Sequence, residues 1–175
     1  MALKRIFLWL LALLASAAHA LAPVAAAESA SEQAVRAALL FNFIKFTEWP
    51  AAPAGESQLR ICIATNDPAQ IAAIEALSER RVRGMPLAAV RYNHQVDCGV
   101  IYVDTPQRWN EISERRLSGH ALTIGGYAGF VADGGMIQIS LQEGGARFDI
   151  NLLEAKRAGL RIYPQLLRLA RRIVE

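Results

Sequence analysis

The chain has two cysteines, Cys62 and Cys98, and their spacing limits what they can do. Catalytic dithiols need close spacing and an exposed, low-pKa thiolate, and these two stand far apart in sequence. They form either one disulfide or two buried thiols. In the chain-entropy picture, a bridge across a loop of this size contributes roughly 3–4 kcal/mol by restricting the unfolded chain. Beyond the leader discussed below, the histidines are His94 and His120, neither with a partner at metal-ligand spacing, so no metal site is expected. Asp67, Asp104 and Asp133 all sit beside turns or helix starts, where capping explains them more cheaply than acid–base work. The sequence has no G-x-S-x-G, H-E-x-x-H, C-x-x-C or P-loop motif. These residues carry no enzyme signature and call for no cofactor.

One polar set has a spacing that suits ligand binding. Asn66 and Asp67, Asp104 and Thr105, and Gly125 and Gly126 each follow an apolar run of strand character. If those strands are parallel neighbours, the three loops share the carboxyl edge of a sheet, where open α/β folds place ligands near free helix N-termini. The plainer alternative is three ordinary strand-to-helix turns.

The elements that must position these residues alternate strand and helix. Ser31 is an N-cap candidate for a helix over 31–47, with Val35, Leu39, Phe43 and Phe46 at helical spacing and Trp49-Pro50 as its stop. A strand over 58–64 leads to Asn66-Asp67-Pro68, which opens a helix over 68–80. A strand near 86–92 follows Gly84, and residues 98–103 are apolar on both faces, as a central parallel strand should be. Asp104-Thr105-Pro106 repeats the cap-then-proline signal for a helix to about Leu117, and a short strand runs from Ala121 to Ile124. Met136–Leu141 and Arg147–Asn151 flank Glu143-Gly144-Gly145 as a β-hairpin. A helix over 152–158 and a last helix from Pro164 to Ile173 close the chain. The expected fold is α/β: a mainly parallel, Rossmann-like sheet flanked by helices, with a C-terminal β-hairpin.

The whole chain has 175 residues, of which 53% are hydrophobic and 20% charged, with 19 Lys+Arg against 16 Asp+Glu. That balance excludes a disordered tail and a nucleic-acid binder driven by bulk charge. Lys4 and Arg5 precede an uncharged apolar stretch from Ile6 to Ala18, followed by small-x-small sites ending at Ala20 and Ala27. This is the pattern of an export signal cleaved after Ala20 or Ala27, leaving an exported single domain over 28–175 that is close to neutral. An uncleaved anchor is the alternative, but the apolar run is shorter than a membrane span.

Four segments in order resemble the YfiR family. They are Ala34–Pro50 (AVRAALLFNFIKFTEWP), Gly134–Ile137, Arg147–Asn151 followed by Ala158–Ile162, and Leu166–Ala170. The resemblance covers roughly residues 33–173. It implies a non-enzymatic periplasmic regulator that binds the periplasmic region of an inner-membrane diguanylate cyclase and represses it. Cyclic di-GMP and biofilm formation then fall, and an outer-membrane lipoprotein can sequester the repressor. A homodimer and a redox-sensitive disulfide are also implied. Cys62 and Cys98 match one cysteine pair of the family, while Ala132 and Ile139 stand where a second pair is found.

Candidate partner contacts are Trp49, Arg147, Asn151, Arg168 and Arg172. Trp49 is an interface anchor or a core cap. Arg168, Arg171 and Arg172 lie opposite Leu166, Leu169, Ala170 and Ile173 on the expected last helix, a solvated face or a dock for an acidic partner or anionic lipid. The basic turn Arg80–Arg83 has the same two readings. The competing function is a periplasmic small-ligand-binding protein that uses the loops at 65–67, 104–105 and 125–126, or an accessory to another membrane sensor.

Overall fold

The computed structural model describes residues 22–50, 57–114, 119–143 and 145–175, with backbone alone over 22–31. The expected leader at 1–21 therefore lies outside the described residues. The chain divides into two units, Met1–Glu32 and Gln33–Glu175. The sheet belongs to the second, with its flanking helices from Gln33 onward.

Helix α1 spans Ala22–Lys45, so it begins nine residues before Ser31, which is interior and not a cap. The alanine-rich stretch ahead of Ser31 has high helix propensity, and that overrides the capping signal. The buried stripe also differs from the expected one. Ala37, Leu40, Phe43 and Ile44 are buried, whereas Val35 is 39% exposed. Strand β1 (Thr47–Glu48) follows at once.

Strand β2 (Leu59–Ala64) leads into helix α2 (Pro68–Glu75), which tightens into a 3₁₀ turn over Ala76–Glu79. Short β3 (Arg81–Val82) and β4 (Met85–Arg91) form a hairpin whose two-residue loop, Arg83-Gly84, has positive φ at both positions. That is the twist a tight hairpin needs. Strand β5 is Val100–Val103, buried throughout, and Cys98 and Gly99 lie just before it. Helix α3 (Pro106–Ser113) and strand β6 (Leu122–Gly125) follow. Strands β7 (Ile137–Gln142) and β8 (Gly145–Asn151) make the expected antiparallel hairpin. Helix α4 (Leu152–Arg157) and strand β9 (Arg161–Ile162) come next, β9 pairing antiparallel with β1.

The expected last helix is a correction. Only one turn, α5 (Pro164–Leu167), is helical, and the chain then becomes strand β10 (Arg172–Val174), parallel to β8. Apolar residues at helical spacing suggested a helix, but the open edge of β8 offers backbone hydrogen bonds that the segment takes instead, starting with the Arg171 amide donating to Phe148 O at 2.8 Å. No basic helix face exists here, and Leu169 stands 70% exposed.

The eight-stranded order is β10-β8-β7-β6-β5-β2-β4-β3, antiparallel only at β7/β8 and β3/β4. Both faces are covered, as a parallel sheet requires. Ile61, Ile63, Tyr102, Ile124 and Phe148 face a core that includes Leu40, Phe43 and Ile44 of α1. Cys62, Ile101 and Val103 face a second core with Trp109, Ile112 and Phe130.

Candidate functional site

Strands β2, β5 and β6 are adjacent and parallel, so the three loops singled out in the sequence do meet at one carboxyl edge. Their polar groups are largely committed to one another. The Asp67 carboxylate accepts from Ala69 N at 2.9 Å and Gln70 N at 3.3 Å, capping α2, with Pro68 at the first helical position. It also accepts from Gln33 Nε2 at 2.9 Å, and that bond holds the carboxyl below its ordinary range. Thr65 Oγ1 donates to Asp104 Oδ2 and accepts from Asp67 N at 3.0 Å. Thr105 caps α3 through Arg108 N at 3.4 Å, and Asn66 is exposed.

The glycines answer a packing need. A Cβ on Gly125 or Gly135 would overlap the ring of Phe130, and one on Gly126 would meet the Tyr102 hydroxyl. Phe130 also packs edge-on against Trp109, with ring centroids 4.9 Å apart. So this edge is filled by the protein's own rings, and the glycines permit the filling.

A few polar atoms stay unmatched beneath that edge. Gln70 is 2% exposed and neither end of its amide has a partner, and the buried Tyr102 hydroxyl has none either. Burial pushes the Tyr102 phenol up to about 12, tempered by Arg36 and reinforced by Asp104 and Asp67. Tyr102 therefore stays a neutral hydroxyl at any physiological pH. The group offers hydrogen bonds without a nucleophile or an accessible acid–base pair. Among the described residues, no cluster of His, Cys, Asp or Glu has metal-site geometry.

Of the candidate partner contacts, Arg147 and Asn151 lie on β8 and Arg172 on β10, in register with Asp149 between them, while Arg168 precedes β10 and Trp49 follows β1. Trp49 is half-buried, packed on the core and tied by its Nε1, which donates to Gly99 O at 3.1 Å. Asn151 is 7% exposed; its Oδ1 accepts from Glu154 N at 3.1 Å, so it caps α4. Arg172 lies 3.5 Å from Asp149, leaving Arg147 and Arg168 as the exposed members without an ion pair among the described residues.

Sequence reasoning missed Asp149. Its carboxylate is 1% exposed and takes a two-pronged contact from Arg171, with Nε at 2.8 Å and Nη2 at 2.7 Å. That guanidinium holds the Asp149 carboxyl below its ordinary range, against the opposing effect of burial. The alternation of Arg147, Asp149 and Asn151 along one strand was the available signal, but their partner lies on a segment read as helix.

Cys62 and Cys98 are joined by a disulfide, with Cα atoms 5.8 Å apart. It links β2 to the chain entering β5, and both residues are buried, at 0% and 6% exposure.

A family model described as DUF4154, YfiR/HmsC-like, matches residues 33–171. No curated protein matches significantly. Among solved structures, a conserved domain protein from Vibrio cholerae O1 biovar El Tor aligns at 12% identity and a TM-score of 0.51, over 80% of this chain and 60% of that one. The ABC domain in complex with L-Trp from Streptococcus pneumonia aligns at 13% identity and a TM-score of 0.48, over 67% and 56%. This chain thus spans 60% of the first structure's length, and that likeness bears on the α/β fold alone.

Proposed function

The chain belongs to the YfiR/HmsC-like family, and we propose that it is an exported regulator that binds the periplasmic region of an inner-membrane diguanylate cyclase and holds it inactive. The observation that carries this reading is the family match across residues 33–171, which takes in every strand except the last, β10. The family is regulatory and periplasmic. The buried disulfide accords with an oxidising compartment, and no described helix is long and apolar enough to cross a membrane. Binding of this kind uses a few aromatic and arginine anchors. Trp49, Arg147 and Arg168 are the residues we assign to contact, while Asn151 and Arg172 serve by shaping β8 and its surroundings. A homodimer, and capture by an outer-membrane lipoprotein, belong to the same proposal.

The test is cellular cyclic di-GMP in a clean deletion and in the same strain complemented with the exported protein. A rise on deletion that only the exported form reverses supports repression. Unchanged cyclic di-GMP across growth conditions, with the protein present in the wild type, overturns it.

The unmatched Gln70 and Tyr102 groups favour a second reading, a small polar ligand beneath the carboxyl edge. That reading expects ligand-dependent thermal stabilisation that disappears in Gln70→Leu or Thr105→Ala.

A further inference from the structure

The unmatched polar atoms beneath the carboxyl edge belong to one neighbourhood. Strand register sets Ala64 beside Val103, so Thr65 and Asp104 emerge side by side, and Thr65 Oγ1 donates to Asp104 Oδ2. Gln70 stands in the first turn of α2, three residues after the Asp67 cap, and Gln33 ties that same carboxylate to α1. Arg36 follows Gln33 by one turn of α1 and acts electrostatically on both Asp67 and the Tyr102 hydroxyl. Asp104 and Asp67 act on that hydroxyl too.

Among the described residues, five buried atoms here have no hydrogen-bond partner: both ends of the Gln70 amide, the Tyr102 hydroxyl, Arg36 Nε and Asp104 Oδ1. Gln70 is 2% exposed and Tyr102 is fully buried, so bulk water does not serve them. Leaving such groups unpaired costs the fold their desolvation, and a bound molecule that pairs them recovers it. Gly126 fits the same picture. Its φ is not in the left-handed region, so its backbone does not call for glycine. A Cβ there would lie 2.6 Å from the Tyr102 hydroxyl, so the absent side chain keeps one flank of that hydroxyl clear.

The chemistry of these groups selects a ligand. The Gln70 amide presents an acceptor and donors side by side in one plane. A second planar group with a donor beside an acceptor, such as a carboxamide or urea, matches that edge with two hydrogen bonds. Charge points the same way. Arg36 and Arg108 balance Asp67 and Asp104, with Arg108 Nε 3.9 Å from Asp104 Oδ1. A net charge on the ligand would be buried without a free counter-ion, which is costly.

We propose that this edge binds a small neutral molecule carrying a carboxamide or urea group, held by paired hydrogen bonds to the Gln70 amide, with the Tyr102 and Arg36 donors serving its oxygen and Asp104 accepting from its nitrogen. The proposal rests on the second reading above, a small polar ligand at this edge, and names its chemistry.

The exported full chain, labelled with nitrogen-15, is titrated with propionamide, its near-isosteres butanone and propionate, and propylene glycol. The readout is the Gln70 side-chain amide resonance, identified by its absence in Gln70→Leu. Propionamide should shift it saturably. Butanone, which lacks the donors, and propionate, which adds a charge, should each bind about tenfold more weakly or worse. Gln70→Leu and Tyr102→Phe should weaken propionamide to a similar degree, read by saturation transfer to the ligand. Tyr102→Phe alone carries the comparison should Gln70→Leu melt early. The proposal is overturned if propionamide gives no saturable shift, if butanone or propionate matches it, or if its affinity survives in both variants. A saturable shift with propylene glycol but not with propionamide overturns the amide chemistry and keeps the broader reading. That reading falls as well if none of these probes moves the Gln70 resonance.

Discussion

At the scale of single residues, Asp149 concentrates the most electrostatic consequence. A carboxylate at 1% exposure is costly to desolvate, and the Arg171 fork compensates from a position still 41% exposed. Because its folded pKa lies below the ordinary 3.8, ionised Asp149 favours the fold at all pH values above that figure. The contribution fades as pH falls through the depressed folded value. Asp149→Asn should lower the melting temperature by about 5 °C at neutral pH, for a loss of roughly 1–2 kcal/mol in a domain of this size. The gap between variant and wild type should close on acidification below about pH 3.8; a gap constant down to pH 2 would show that the charge is irrelevant. Phe130 gives a sharper steric case. Gly125→Ala places a methyl inside its ring, so the variant should lose about 1–3 kcal/mol through overpacking, read as a lower urea midpoint with unchanged slope. The sequence revealed these glycines as special but not why, since the ring that needs the space comes from five residues beyond the strand.

At the scale of elements, local chemistry was legible and competition between distant partners was not. Asp67-Pro68 and Thr105-Pro106 open their helices as read, because a cap and a proline act within one turn. The parallel strands were legible because burial on both faces leaves an unbroken apolar run. The C-terminal segment failed on the opposite ground: its spacing suits a helix, but β8 presents an unpaired edge that no local pattern announces. β10 is short and exposed, so its value lies in blocking that edge and in carrying Arg171 to Asp149. Removing residues 171–175 should therefore raise the tendency to self-associate as well as lower the melting temperature. Light scattering against concentration checks this, and a truncated chain that associates no further than the wild type would sink the edge-blocking role. Arg83 makes the same point from the other end of the sheet. Its partners are carbonyls of Lys45 and Thr47, nearly forty residues away, and only the folded β3–β4 hairpin brings it there.

At the scale of the whole molecule, the question is whether the Cys62–Cys98 bridge is a staple or a switch. It ties β2 to the approach to β5 across 36 residues, which in the chain-entropy account contributes about 4 kcal/mol. Both cysteines are buried, so reductants reach them only when the domain opens. Exchange between two pairs would give a route to switching, but no other cysteine exists in this chain. The bridge should then act through stability alone. Cys62→Ser/Cys98→Ser should melt well below the oxidised wild type, yet repress cyclic di-GMP to the same level when grown cool enough to keep the two folded populations equal. Immunoblots of the soluble periplasmic fraction set that match. Repression lost at matched folded protein would make the disulfide part of the regulatory surface itself. Repression retained confines it to holding β2 and β5 in register, and places any regulation of this protein in its partner contacts or in a bound ligand.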